Sequence, residues 1–255
     1  MTDGPTFGWA LCVALAILLA LAVSAVHWGR LRLTREVVVA ASRSMLQLLA
    51  VSAVIGLMLQ RVWTSLMFIV VMFSIAVWTA SGRIRARGDW SWVAVVIASG
   101  AVPVLVVVFT TGAAPFTGPA LISIAGIVIG GSMTAHSLAG RRAFDALRGD
   151  LGQVEAGLAL GLLRRHAIDN VINRDAPEAL VPVLDQTRTV GLVTLPGAFV
   201  GVLLGGGSAT DAAAAQALVL VGLVAAEAVV VVMTMWAIAG GRILAADLRG
   251  RLPAA

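Results

Sequence analysis

Seven stretches of this chain, at roughly residues 8–28, 37–59, 64–81, 90–109, 119–139, 188–206 and 214–240, are nearly uninterrupted apolar sequence. Each is close to the length of about 20 residues that a helix rising 1.5 Å per residue needs to cross the roughly 30 Å hydrocarbon core of a bilayer. The runs predict an all-α fold, a polytopic transmembrane helical bundle of about seven spanning helices forming one compact membrane domain over residues 1–255. Composition points the same way. Only 12% of the residues are charged and 60% are hydrophobic, where a soluble domain carries about 25% charged residues to coat its surface. The excess apolar surface has to face lipid.

All 18 basic residues are arginines, and the formal net charge is +5. In a soluble protein that would raise nucleic-acid binding, but their placement argues for membrane topology instead. With the first loop inside, the arginines fall on one side of the membrane, except Arg61 opposite and Arg43 within the second run. The positive-inside rule then puts the amino terminus outside and the carboxy terminus in the cytoplasm of an inner-membrane, multi-pass protein. The amino-terminal stretch Met1–Gly8 carries Asp3 and no basic residue, unlike the head of a secretory signal, so the first apolar run is expected to be retained.

The outer loops, Thr110–Gly118 and Gly205–Asp211, are short and rich in turn residues, leaving recognition to the bundle or its cytoplasmic face. The one long connection, about 140–187, is polar and helix-capable. Within it Gln153–Ile168 sets charges on one side, with Leu158, Leu162 and Leu163 among the apolar positions, which suits docking of a soluble partner.

Enzymatic chemistry finds few tools here. His27, His136 and His166 are far apart, no His-Glu-x-x-His pattern exists, and Cys12 stands alone, so no metal ligand set is assigned. There is no lysine and no phosphate-binding P-loop, so ATP use would require a second polypeptide and no cofactor is expected on this chain.

What remains are polar or helix-breaking residues inside apolar runs. Arg43 and Gln47, four apart, share a helix face and either line a translocation path or, in turn, snorkel to the interface and bond a neighbouring helix. Gly126 and Gly130 form a Gly-x-x-x-Gly pair suited to close helix packing. Ser132 and His136 continue along the fifth run, with Met133 between them as core filling or path lining. Pro196-Gly197 interrupts the sixth run, freeing carbonyls that line a path or form a hinge. Glu227 lies deep in the seventh run, where it pairs with Arg43, holds a cation or sits protonated at a helix contact.

The stretch Glu155-Ala156-Gly157-Leu158-Ala159-Leu160-Gly161 resembles the coupling loops of ABC transporter permeases, with Gly157 in place of a third alanine. Further runs, Arg43-Ser44-Met45-Leu46-Gln47-Leu48, Gly126-Ile127-Val128-Ile129-Gly130-Gly131-Ser132-Met133, Pro182-Val183-Leu184-Asp185 and Arg188 through Gly197, make the chain similar to the FetB-type permeases. That resemblance implies a homodimer working with two copies of a separate cytoplasmic ATPase. ATP-Mg would be held on that partner, and Glu155, Ala156 and Gly161 would couple to it. Bacterial members of the family are assigned to iron export, and plant relatives to aluminium tolerance and UDP-glucose transport. This chain departs from the family at Gly131, where an Asn is usual, and at Ala198 and Phe199, where methionines are usual. Those departures remove an amide and soft thioethers that would suit a metal. The expected function is export of iron or another metal ion. The alternatives are a nucleotide sugar, an ion-coupled secondary transporter using Glu227 and Arg43, and a structural or assembly protein.

Overall fold

The computed structural model describes residues 8–58 and 61–252, and these two stretches fall into two compact units. The first unit is a helical pair, α1 (Trp9–Trp28) and α2 (Thr34–Met58). They are joined by a tight turn in which Arg30 and Arg32 adopt left-handed backbone conformations, with φ of 53° and 57°. No residue of α1 is buried, as expected of a helix apolar on all sides whose neighbours are lipid.

The second unit holds α3 (Val62–Arg83), α4 (Trp90–Thr110), α5 (Gly118–Gly149), α6 (Leu151–Ala159), α7 (Arg164–Ile172), α8 (Val181–Thr189), α9 (Gly197–Leu204) and α10 (Ala209–Ala239). The two longest helices, α5 and α10, pack against each other and against α4, and α5 also packs against α3. Gly100 of α4 permits one of these contacts, since a Cβ there would overlap the Ala226 carbonyl oxygen on α10. A capping box starts α10: the Asp211 amide donates to Ser208 Oγ at 3.1 Å and the Ser208 amide to Asp211 Oδ2 at 3.2 Å, which satisfies two otherwise orphaned donors.

Among the described residues six helices are long and apolar enough to cross a membrane: α1 to α5 and α10. Five expected spans agree with the helices to within a few residues, and the fifth is longer than expected. There α5 runs on through Arg141 and Arg148 to Gly149, because the buried faces of Ala143, Phe144 and Leu147 continue its apolar stripe past the membrane-length segment.

The sixth expected span, 188–206, is not one helix. α8 stops at Thr189, and Val190 pairs with Thr194 across a turn in which Gly191 has φ of 82°. α9 then begins at Gly197, with Pro196 extended before it. Proline lacks an amide donor and pushes the preceding residue out of helical conformation, so the break takes in 190–196 rather than kinking a continuous helix at Pro196. At nine and eight residues, neither α8 nor α9 crosses a bilayer by itself.

The ends of α3, α5 and α10 gather with the start of α4, and a second layer packs on them. Val154, Ile168 and Ile172 of α6 and α7 join Phe144, Leu147 and Ile238 in one core. The tail after α10 folds back over this layer, burying Ile243, Ala245 and Leu248 completely. Its Leu244 N–H donates to Asp89 Oδ2 at 3.0 Å, Arg249 donates to the same oxygen at 2.6 Å, and the Ala246 N–H donates to the Arg85 carbonyl at 3.2 Å. Arg148 clamps Asp247 through two hydrogen bonds of 2.8 and 3.0 Å. Arg242 lies over both Trp236 and Trp92.

Candidate translocation site

Side chains that recur every three to four residues fall on one helix face, and on α10 that periodicity brings Gln216, Leu220, Leu223, Glu227 and Thr234 onto its buried side. Facing them on α5 are Ser132 and His136, one turn apart and both fully buried. The seam between these helices is therefore polar at several levels in an otherwise apolar interior.

At one level His136 Nδ1 lies 2.8 Å from Thr234 Oγ1, and the Thr234 hydroxyl donates to the Val230 carbonyl at 2.7 Å. A hydroxyl has one hydrogen. With it committed to Val230, the imidazole donates through Nδ1, and Nε2 is left as a bare acceptor. That Nε2 has no hydrogen-bond partner among the described residues, nor do the buried Ser132 Oγ and Gln216 Oε1. Buried polar atoms are ordinarily paired, because leaving one unmet costs about 1–3 kcal/mol, so three such atoms along one seam mark it as a place meant for something polar.

At another level Glu227 sits against the backbone of Gly131, its Oε1 only 2.7 Å from where a Cβ would stand. Leu223 occupies the other side of the same missing side chain. Gly131 thus makes room for the carboxylate.

Toward the start of α10 the seam opens into a cleft of about 800 Å³ between α5, α9 and α10, lined by Pro119, Ser123, Gln186, Pro196, Gly197 and Gln216 among others. The break at 190–196 creates this opening, since α9 begins only at Gly197 and leaves a wedge beside α10.

Of the residues singled out in the sequence, Pro196 and Gly197 line the cleft, while Ser132, His136 and Glu227 lie along the α5–α10 seam. Met133 is half-buried and packs against the core. Gly126 meets Met72 of α3, whereas the Cβ side of Gly130 faces open space. Arg43 and Gln47 belong to the amino-terminal unit and are exposed within it. Glu155 and Ala156 stand exposed on α6, and Gly161 follows that helix with φ of 87°.

That glycine turns Gln153–Ile168 into a hairpin of α6 and α7 rather than one amphipathic helix. Leu160, Leu162 and Leu163 are exposed at the tip. Gly157 is buried where the two arms meet, its Cβ position 3.3 Å from the Ala167 methyl.

Sequence reasoning passed over Gln216, Ser123 and Thr234. Gln216 and Glu227 are 11 residues apart and Glu227 and Thr234 seven, whole numbers of helical turns. That spacing carried the signal for one polar stripe.

A profile described as an uncharacterised protein family, UPF0014, matches residues 9–241. The UPF0014 membrane protein STAR2 of Oryza sativa subsp. japonica is 33% identical over 224 residues, covering 85% of this chain and 77% of that one. The protein Aluminum Sensitive 3 of Arabidopsis thaliana is 33% identical over 225 residues, covering 85% and 80%. The probable iron export permease protein FetB of Escherichia coli K12 is 29% identical over 201 residues, covering 76% and 77%. No solved structure matches the chain significantly.

Proposed function

Because this chain belongs to the UPF0014 family of membrane proteins, we propose that it is the membrane-spanning permease of an ABC transporter, working as a homodimer with a separate cytoplasmic ATPase in the inner cell membrane. The observation that carries the coupling is the α6–α7 hairpin. Its outer surface presents Glu155 and Ala156, its tip exposes Leu160 and Leu163, and its inner face is fixed to the ends of α5 and α10 by Val154, Ile168 and Ile172. An ATPase that grips the hairpin would move those two helices together, and the α5–α10 seam with its cleft is where access would alternate. No covalent chemistry is asked of the chain.

The cargo proposed is iron or another metal ion, leaving the cell. This rests on the relative named as an iron export permease and on the oxygen and nitrogen atoms of Glu227, His136, Ser132 and Gln216 along the seam, which suit a divalent cation better than an apolar solute.

The test is ATP-dependent accumulation of ferrous iron in inside-out vesicles holding this chain and its co-purified ATPase, against vesicles whose ATPase cannot hydrolyse ATP. Accumulation that the inactive ATPase abolishes is the expected result. Hydrolysis without iron movement would transfer the reading to a nucleotide sugar. Iron movement driven by a pH gradient without ATP would favour an ion-coupled carrier in which Glu227 exchanges the proton.

A further inference from the structure

A second recess lies at the arginine-rich end of the larger unit, beside the tail that folds back after α10. Between α3 and α4, Phe73, Val77, Trp78, Trp90 and Ala94 line an apolar groove of about 310 Å³. Trp78 and Trp90 are 58% and 57% exposed, the arrangement indoles adopt at a membrane surface, where the ring is in hydrocarbon and the N–H is wet. Beside this groove Arg87 lays its guanidinium over the Trp78 ring, 4.6 Å from the centroid. Gly82 gives it room, since a Cβ there would stand 3.3 Å from Arg87 Nε.

A recess of about 470 Å³ follows, lined by Gly82, Arg85, Arg87, Gly88, Ala246 and Arg249. No carboxylate lines it. Asp89 nearby is already taken, accepting from Arg249 and from the Leu244 amide. Neither Arg85 nor Arg87 makes an ion pair among the described residues.

Arg85 also holds φ of 56°, a left-handed conformation where glycine would be unstrained. Its backbone is pinned there by its own N–H to the Gly82 carbonyl and its carbonyl to the Ala246 N–H, each 3.2 Å.

The Arg85 and Arg87 guanidinium groups, outside any ion pair, with the Asp89-paired Arg249 next to them and a tryptophan-walled apolar groove beside them, complement a phosphate joined to hydrocarbon. We infer that this place binds an anionic phospholipid, its phosphodiester among Arg85, Arg87 and Arg249 and one acyl chain along Trp78 toward Phe73. Inorganic phosphate shares the head-group chemistry but leaves the groove unfilled, and an acidic protein segment likewise makes no use of it.

The experiment purifies the full chain in detergent and measures retained phosphatidylglycerol, phosphatidylcholine and inorganic phosphate by native mass spectrometry. Phosphatidylglycerol is expected to be retained about ten-fold over the other two, and an R85Q/R87Q variant to lose that preference. R61Q, which removes an arginine at the opposite end of α3, is expected to keep it. Equal retention in R85Q/R87Q overturns the inference, as does phosphate binding that matches the lipid and is indifferent to W78A.

A second measurement needs no arginine variant. Phosphatidylglycerol brominated on its acyl chains should quench tryptophan emission more than brominated phosphatidylcholine, and the excess should vanish in W78F/W90F, which removes both indoles of the groove. Excess quenching that survives W78F/W90F, or none in the wild type, sinks the proposal. So does loss of ATPase co-purification in R85Q/R87Q with lipid retention unchanged, which would make the recess a protein contact.

Discussion

At Gly131 the missing side chain is what admits Glu227 to the α5–α10 seam. A methyl group there would overlap Leu223 and stand 2.7 Å from the Glu227 carboxylate, so Gly131→Ala should destabilise the protein by about 1–3 kcal/mol, the usual cost of overpacking, and displace Glu227. Gly130→Ala, whose Cβ meets nothing within 4 Å, should leave the unfolding free energy unchanged within about 0.5 kcal/mol. Thermal unfolding in detergent compares the two directly, and equal losses would refute the packing account. At the next polar level, Thr234→Val keeps the shape of the side chain but removes the oxygen that His136 Nδ1 meets at 2.8 Å. The stranded imidazole N–H predicts a loss of about 1–3 kcal/mol, readable in the same unfolding assay. Glu227 and His136 were legible in the sequence because polar residues stand out in apolar runs. Their partners were not: Gly131 and Thr234 look ordinary in membrane helices, and only the register between α5 and α10 says that one is a space and the other an acceptor.

Elements divide by how firmly local chemistry fixes them. α1 to α5 and α10 were readable as runs of membrane length, since any such run must satisfy its backbone internally and a helix does so. The 188–206 stretch carries the same apolar content but also Gly191, Pro196 and Gly197, and there conformational preference overrides hydropathy. The α6–α7 hairpin was half legible. Its surface residues were visible, but its bend depends on Gly161 holding φ of 87°. Gly161→Ala should therefore cost about 1 kcal/mol through left-handed strain and loosen the tip. Leu160→Asp lies on a residue 86% exposed, so it should leave the unfolding free energy unchanged within about 0.5 kcal/mol while reducing co-purification of the proposed ATPase partner. Pull-down from membranes co-expressing both proteins decides this, and full retention of the ATPase by Leu160→Asp would detach the hairpin from the proposed coupling.

Across the larger unit, the tail ties three elements together. Asp89 before α4 receives Leu244 and Arg249, and Arg148 at the end of α5 holds Asp247. Those hydrogen bonds keep the Asp247 carboxyl below its ordinary value of 3.8. A lowered native pKa means stability that is present above that ordinary value and is lost as pH falls through the lowered one. The melting-temperature gap between the wild type and Asp247→Asn should accordingly be constant near neutrality and close only in strong acid. A gap closing near pH 6 would assign it to another group. None of this tail was legible in the sequence, because its anchors are side chains some 100 to 160 residues away in the chain.

α5 has 32 residues, about 48 Å at 1.5 Å per residue, against a hydrocarbon core of about 30 Å. Under the proposed coupling, a rigid α5 turning about Gly140 would be a lever with a short arm of about 14 Å ending at Gly149, next to α6, and a long arm of about 32 Å ending at Pro119, on the cleft. A displacement delivered at the hairpin end would then emerge at the cleft about twice as large and opposite in sense, so that a small grip on α6 would suffice for a wide change at the far mouth.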